Sequence, residues 1–399
     1  MNKRVIANPP IGFYDHFRTK TKHGFFLYLA DTIARQKTEM GENVIFPNYS
    51  FNMFGKKSES LIKLEGKSLK EYDKDIKELS KKLISENDLR CLFNLTSYES
   101  LFDNEAEIVH GISEDFRKLN EKGYLLTKGT SNFLDCNKIK QNFNLQEMIE
   151  SIRIPSRKAK SDLERFVQNN LQEPHKITTD TFYSIRNPLD ENMENVSPLF
   201  ILANLWDHKY FRSKFTFLSS DDVLAKYIFL RFITRLVLDN DAGFDELVVW
   251  PRVNLSGEKE KWEINNLIKD EYDSDVFRIS LLSLYPSQKS SVNLDYSKIM
   301  GNKNFLYSLA NLRRIIPYHP ILPLADKFYT HQVSSFRYPM IIEEFRIETK
   351  EISKEVNRLK PLCNENIAKL SKKYSTLIDK LAPFVPATVD LIRKESVKK

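Results

Sequence analysis

The chain has 399 residues, a length that suits two or three folding units. Hydrophobic residues make up 41% of it and aromatic ones 12%, which excludes a chain disordered over most of its length. The formal charge of +7, from 61 basic and 54 acidic residues, suits a polyanionic partner, but many proteins with such a charge bind none.

Three widely spaced cysteines, Cys91, Cys136 and Cys363, allow no disulfide framework and no Cys-x-x-Cys knuckle, as in a reducing compartment. Met1-Asn2-Lys3-Arg4 is followed by no long apolar run, and no segment approaches the ~20 apolar residues that span a bilayer. The expectation is a soluble cytoplasmic protein without membrane association.

Val5-Ile6-Ala7 reads as a buried strand, and a polar, basic loop follows it. Apolar residues then recur at helical spacing over residues 25–40, with Gly41 as a stop signal. Val44-Ile45-Phe46-Pro47 is a second strand. Strand, helix and strand make a βαβ unit, which implies a parallel sheet with ligands at the carboxyl ends of its strands. Residues 60–90 read as exposed helix, and a further helix is expected over residues 106–120, ending at Gly123. Residues 125–195 are mixed and polar, with a helix at 157–169, and read as an insertion. Phe215-Thr216-Phe217-Leu218 and Leu247-Val248-Val249-Trp250 are strands flanking an apolar helix at 222–238, a second βαβ half. From about residue 300 the pattern is helical to the end. The fold class is thus α/β, a Rossmann-like doubly wound core, split by an insertion and followed by a helical bundle. The expected boundaries are 1–60 and 196–298 for the two core halves, 61–195 for the insertion and 299–399 for the bundle.

The junctions of this layout carry the chemistry-bearing residues. Lys20-Thr21-Lys22-His23-Gly24, with Arg18 and His16 upstream, puts positive charge where the first helix opens. A helix N-terminus offers free backbone N–H groups and partial positive charge to phosphates, although a solvated basic loop would look the same. Ser220-Asp221-Asp222 follows a strand and supplies either two ligand-facing carboxylates or a helix N-cap. Gly66-Lys67-Ser68 ends like a phosphate-binding loop, but Leu61 stands where its first glycine is required.

Taken in order, these residues resemble the class I aminoacyl-tRNA synthetases, especially the group that handles Leu, Ile, Val and Met. Ala30-Asp31-Thr32-Ile33-Ala34-Arg35 is similar to the helix behind the family's HIGH signature. Counting back from it puts His23 on the second signature His and Lys20 on the first. Asn52 stands where the family has an Asp that pairs with the amino acid's ammonium. Leu119-Asn120-Glu121-Lys122-Gly123 resembles the helix end before the connective insertion. Cys136 sits where a zinc knuckle often begins, but no second Cys follows at ligand spacing, so a packed thiol and no zinc are expected. Tyr272, Asp275 and Arg278 match a landmark downstream of the KMSKS loop, which places Asn254-Leu255-Ser256-Gly257-Glu258 on that signature. Ser256 is retained and both signature lysines are replaced, with Lys259 and Lys261 nearby. Leu381-Ala382-Pro383-Phe384-Val385-Pro386 resembles a segment of the anticodon-binding bundle.

The resemblance implies an adenylate-forming ligase that uses ATP with Mg2+, an amino-acid-like substrate, and tRNA as acceptor. It implies catalytic roles for Lys20, Lys22 and His23, ATP contacts from Asp221, Asp222, Ser256 and Lys259, and a substrate contact from Asn52. The altered signatures admit a second reading, a degenerate paralogue that only binds tRNA, a nucleotide or a protein.

Overall fold

The computed structural model describes residues 3–7, 21–45, 56–68, 71, 74–75, 105–155, 157–181, 184–210, 213–220, 227–250, 252–255, 271–284, 291–319, 337–359 and 363–396. The chain forms two compact units. One comprises Met1–His16, Met40–Leu83 and Leu95–Arg252; the other comprises Phe17–Glu39, Ile84–Asn94 and Val253–Lys399.

The first unit is built on a parallel sheet. Strand β1 (Arg4–Ala7) lies between β2 (Val44–Ile45) and β8 (Lys214–Ser220), and β9 (Glu246–Trp250) extends the sheet on the far side of β8. All three pairings are parallel, with Ala7 opposite Phe217 and Ser220 opposite Trp250. Continuous apolar runs such as Phe215-Thr216-Phe217-Leu218 mark strands covered on both faces, as parallel strands usually are. Thr216 is nevertheless polar and buried. Its hydroxyl donates to Glu246 Oε2 at 2.9 Å and accepts from Arg4 Nη1 at 3.1 Å, and Arg4 also pairs with Glu42. A polar chain therefore ties β1, β8 and β9 together inside the sheet.

The insertion holds a small antiparallel sheet that its mixed polar composition did not predict. Strands β3 (Leu125–Lys128) and β4 (Ser131–Leu134) form a hairpin, and β5 (His175–Lys176) pairs with β4. Gly129 takes the left-handed conformation (φ +60°) in the two-residue loop between β3 and β4, as tight hairpins require. Strands β6 (Thr178–Thr179) and β7 (Asn195–Val196) add a further antiparallel pair. Among the described residues four helices accompany these strands, α3 (Glu105–Glu121), α4 (Cys136–Asn142), α5 (Leu145–Ser151) and α6 (Arg157–Asn170), while α2 (Lys56–Glu65) precedes them. Asp135 caps α4 by accepting from Lys138 N. Cys136, the next residue, is a buried free thiol, which burial pushes up to about 11.

Helices α7 (Pro198–Lys209) and α8 (Phe229–Asp239) complete this unit. The side chain of Arg231 on α8 is fully buried, which an unpaired charge could not survive. Its guanidinium grips Asp207 with two bonds, of 2.7 and 2.8 Å, donates to the carbonyls of Ala203 and Gly243, and lies over the rings of Phe215 and Phe217. One turn on, Arg235 pairs with Asp115 of α3, and Asp115 also meets His208 Nε2 at 2.9 Å. Burial pushes the Asp207 carboxyl up, but Arg231 and Arg235 outweigh it and hold it below the usual range. Lys122, from the Glu-Lys-Gly end of α3, donates to the last carbonyls of α8 at 2.8 and 3.0 Å, a C-terminal cap.

Among its described residues the second unit is helical apart from one ribbon, β10 (Arg252–Leu255) with β11 (Ser291–Leu294). Its helices are α1 (Thr21–Glu39), α9 (Glu271–Leu282), α10 (Tyr296–Leu312), α11 (Tyr338–Arg358), α12 (Asn364–Leu381) and α13 (Pro386–Ser396). Asp31 of α1 and Arg278 of α9 form an ion pair with no side-chain exposure on either partner. Arg35, one turn further along α1, shares the Asp31 carboxylate at 2.9 Å. Nearby, Ser274 donates to the Tyr28 hydroxyl at 3.0 Å, and the Tyr338 hydroxyl donates to Gln36 at 3.0 Å. Asp275 of α9 accepts from the backbone N–H of Thr388, in the first turn of α13, at 2.6 Å. Burial pushes the Asp275 carboxyl up to about 6, against the pull of Arg278.

Three consequences can be measured. Replacing Arg278 with Ala strands a buried carboxylate and is expected to cost about 3–5 kcal/mol, read as a lowered urea midpoint; the Asp31→Leu/Arg278→Met double variant recovers most of it. For Asp275, the folded value near 6 lies above the unfolded one. The folded chain then binds the extra proton between these values, so its stability falls as pH rises through about 6. Relative to Asp275→Asn, the native chain is expected to gain roughly 1 kcal/mol on going from pH 7.5 to pH 5, and a difference that does not change with pH would contradict this. Finally, a Cβ built on Gly111 of α3 would lie 2.2 Å from the His208 ring. Gly111→Ala is expected to cost about 1–3 kcal/mol in thermal or urea unfolding, with His208→Ala in the same chain relieving most of the loss.

Candidate functional site

The carboxyl ends of parallel strands are where ligands of open α/β sheets bind. Here β1 ends at Ala7, immediately before Asn8-Pro9-Pro10, and β8 ends at Ser220, immediately before Asp221-Asp222. Strand β10 ends at Leu255, immediately before Ser256. Of the residues singled out from sequence, Asp221, Asp222 and Ser256 thus follow strand ends directly in the chain.

Several of those residues, Lys20, Asn52, Asp221, Asp222, Ser256 and Lys259, lie outside the described residues. Lys22 and His23 are helical, in the first turn of α1, which begins at Thr21. Helix α1 carries no acidic residue in that turn. Its first backbone N–H groups have no intrahelical partner, and with the dipole they favour an anion. A phosphate is the group this donor chemistry fits. Among the described residues, no cluster of His, Cys, Asp and Glu could hold a metal ion.

From Tyr28 to Lys37 every residue but Arg35 is buried, so this stretch of α1 is enclosed on all sides rather than along one stripe. The alternation of apolar and charged residues there is explained by partners: Asp31 by Arg278, Gln36 by Tyr338 and Tyr28 by Ser274. Two landmarks identified separately in the sequence, the Asp31 helix and the Asp275/Arg278 helix, therefore meet in one buried ion pair. Sequence reasoning missed this contact. A signal was present, since a charge embedded in an apolar helical run demands a partner of opposite sign.

Three comparisons place this architecture. No protein-family model matches the chain, and no curated protein matches it. Solved structures do. The methionyl-tRNA synthetase of Mycobacterium tuberculosis in complex with methionyl-adenylate superposes with a TM-score of 0.75 at 12% identity, over 98% of this chain and 93% of that one. A second structure of that enzyme bound by methionyl-adenylate gives 0.72 at 12% identity, again over 98% and 93%. Its apo form gives 0.67 at 11% identity, over 98% and 91%. At such identity the likeness speaks for fold and not for chemistry. The chain has the fold of a class I aminoacyl-tRNA synthetase of the methionyl-tRNA synthetase kind, in a divergent form.

Proposed function

We propose that the protein is a divergent adenylate-forming ligase that activates an amino acid, or a similar carboxylate, with ATP and passes the acyl group to tRNA or another acceptor. One observation carries the reading. The fold likeness to an enzyme seen with methionyl-adenylate extends over 98% of the chain, and the presence of Lys22 and His23 in the first turn of α1 supports it.

On this reading, the α1 N-terminus receives the ATP phosphates. Lys20, Lys22 and His23 stabilise the negative charge that develops as the α-phosphate is attacked, the role of an electrostatic clamp. Asp222, helped by Asp221, accepts hydrogen bonds from the ribose hydroxyls. Ser256 and Lys259 face the pyrophosphate, and Mg2+ accompanies the nucleotide. Asn52 faces the substrate amine. As a neutral amide it accepts a hydrogen bond from an ammonium without the opposing charge of a carboxylate, which weakens the contact. A substrate with less need of ammonium recognition fits that change.

The replaced KMSKS lysines favour a second reading, a tRNA-, nucleotide- or protein-binding paralogue without activation. If each lysine contact supplied roughly 2–4 kcal/mol at the transition state, losing two would slow activation by several powers of ten.

Amino-acid-dependent ATP–pyrophosphate exchange decides between them, with methionine first in a full amino acid panel. The enzyme reading expects exchange with at least one member, reduced by roughly 10²-fold or more in His23→Ala. An absence of exchange across the panel, together with measurable tRNA binding that weakens steeply with salt, would establish the binding protein instead.

A further inference from the structure

A cleft of about 910 Å³ opens in the second unit between the C-terminal end of α9, helix α10 and helix α11. Small-molecule sites measure roughly 300–1,000 Å³, so the volume suits a compact ligand. Among the described residues its lining contains four cationic side chains, Lys298, Arg346, Lys350 and Lys354, and no carboxylate. Three of them, Arg346, Lys350 and Lys354, recur every fourth residue along one face of α11. Like charges at that spacing repel and weaken a helix, so the arrangement is unfavourable in the chain by itself.

The protein neutralises this charge only in part. Arg346 is held by Glu343 at 3.1 Å and by the Asn302 side-chain oxygen. Lys298 donates to the Asn293 carbonyl at 3.0 Å, with Asp295 at 3.9 Å. Lys350 and Lys354 are exposed and make no ion pair or side-chain hydrogen bond among the described residues. Nor does the protein fill the space: a Cβ at Gly301, on the α10 wall, would meet nothing within 4 Å. The floor is apolar, with Phe305 9% exposed and Leu284 beside it.

We infer that this cleft binds a small polyphosphate, a chain of two or three phosphates either free or on a nucleotide, at a site separate from the one proposed for adenylate formation. A row of cations on one wall matches several linked anionic groups better than a single one. On the α10 wall Lys298 is the one cation among the described lining residues, and Gly301, Asn304 and Ser308 carry no charge. The cations therefore concentrate on the α11 wall, a short footprint that suits a compact polyanion better than an extended nucleic-acid strand.

Hydrogen–deuterium exchange on the full chain tests this, with sodium tripolyphosphate, ATP, adenosine and a single-stranded oligouridylate as probes. Tripolyphosphate and ATP should slow exchange over residues 296–312 and 338–358, and adenosine should not. The Lys350→Gln/Lys354→Gln variant should keep the native circular dichroism and melting temperature, yet raise the Kd for tripolyphosphate by about tenfold or more. His23→Ala should leave this protection intact, which separates the cleft from the adenylate site. Tighter binding of ATP than of tripolyphosphate would assign the apolar floor to a base, and equal binding would assign the site to the phosphates alone. The proposal fails if millimolar tripolyphosphate protects neither helix, if the double variant is protected equally, or if only the oligonucleotide gives protection.

Discussion

Asp31 and Arg278 meet with both charges removed from water, and the organisation of the second unit follows from that pair. Withdrawing either charge alone into an apolar interior would be prohibitive, so neither helix can pack without presenting its partner. Apolar faces can slide past one another at small cost, whereas an ion pair is satisfied in one register. The pair thus fixes which turn of α1 meets which turn of α9. From α9 the same logic continues outward. Asp275, three residues before Arg278, takes the first-turn N–H of Thr388 and so sets where α13 begins its packing. Ser280 accepts from Asn302 of α10 at 2.9 Å, and Asn302 in turn receives Arg346 of α11. Buried polar contacts, not the apolar area, decide the order in which these helices stack.

The first unit uses the same device around a different pair. Arg231 is enclosed by the rings of Phe215 and Phe217 and gripped by Asp207, so one guanidinium serves both as packing surface and as charge partner. Arg235, Asp115 and His208 extend this across three helices, and Gly111 leaves room for the His208 ring. Within the sheet, Arg4, Thr216 and Glu246 repeat the theme on a smaller scale. A chain with a charged-residue content of 29% has placed some of its charges inside and matched each with a partner.

Packing held by such interior pairs does not depend on the identity of residues outside them. The interior pairs are made by residues of the strands and helices themselves, and Asn8, Asp221 and Ser256, which follow strand ends in the chain, take no part in those pairs. The fold is similar to that of a methionyl-tRNA synthetase at only 12% identity. At that identity the fold cannot by itself decide the chemistry.

The sequence by itself determined the parallel core: the two βαβ halves, the strands at Val5, Phe215 and Leu247, and the helices at 157–169 and beyond 300. Periodicity and turn signals are local, and these elements obey them. It determined the resemblance, because landmarks such as Asp31, Lys122, Asp275 and Arg278 keep their order along the chain. The β3–β4 hairpin was not read from the sequence, because its short strands lie in a mixed, polar stretch without clear alternation. Only the tertiary structure decided that Asp31 belongs to Arg278, that Lys122 caps α8, and that Arg346, Lys350 and Lys354 line an open cleft instead of a solvated face. A charge in the sequence announces that it needs a partner, but partners lie as many as 247 residues apart. Which one it finds depends on how the helices pack, and packing is a property of the folded whole.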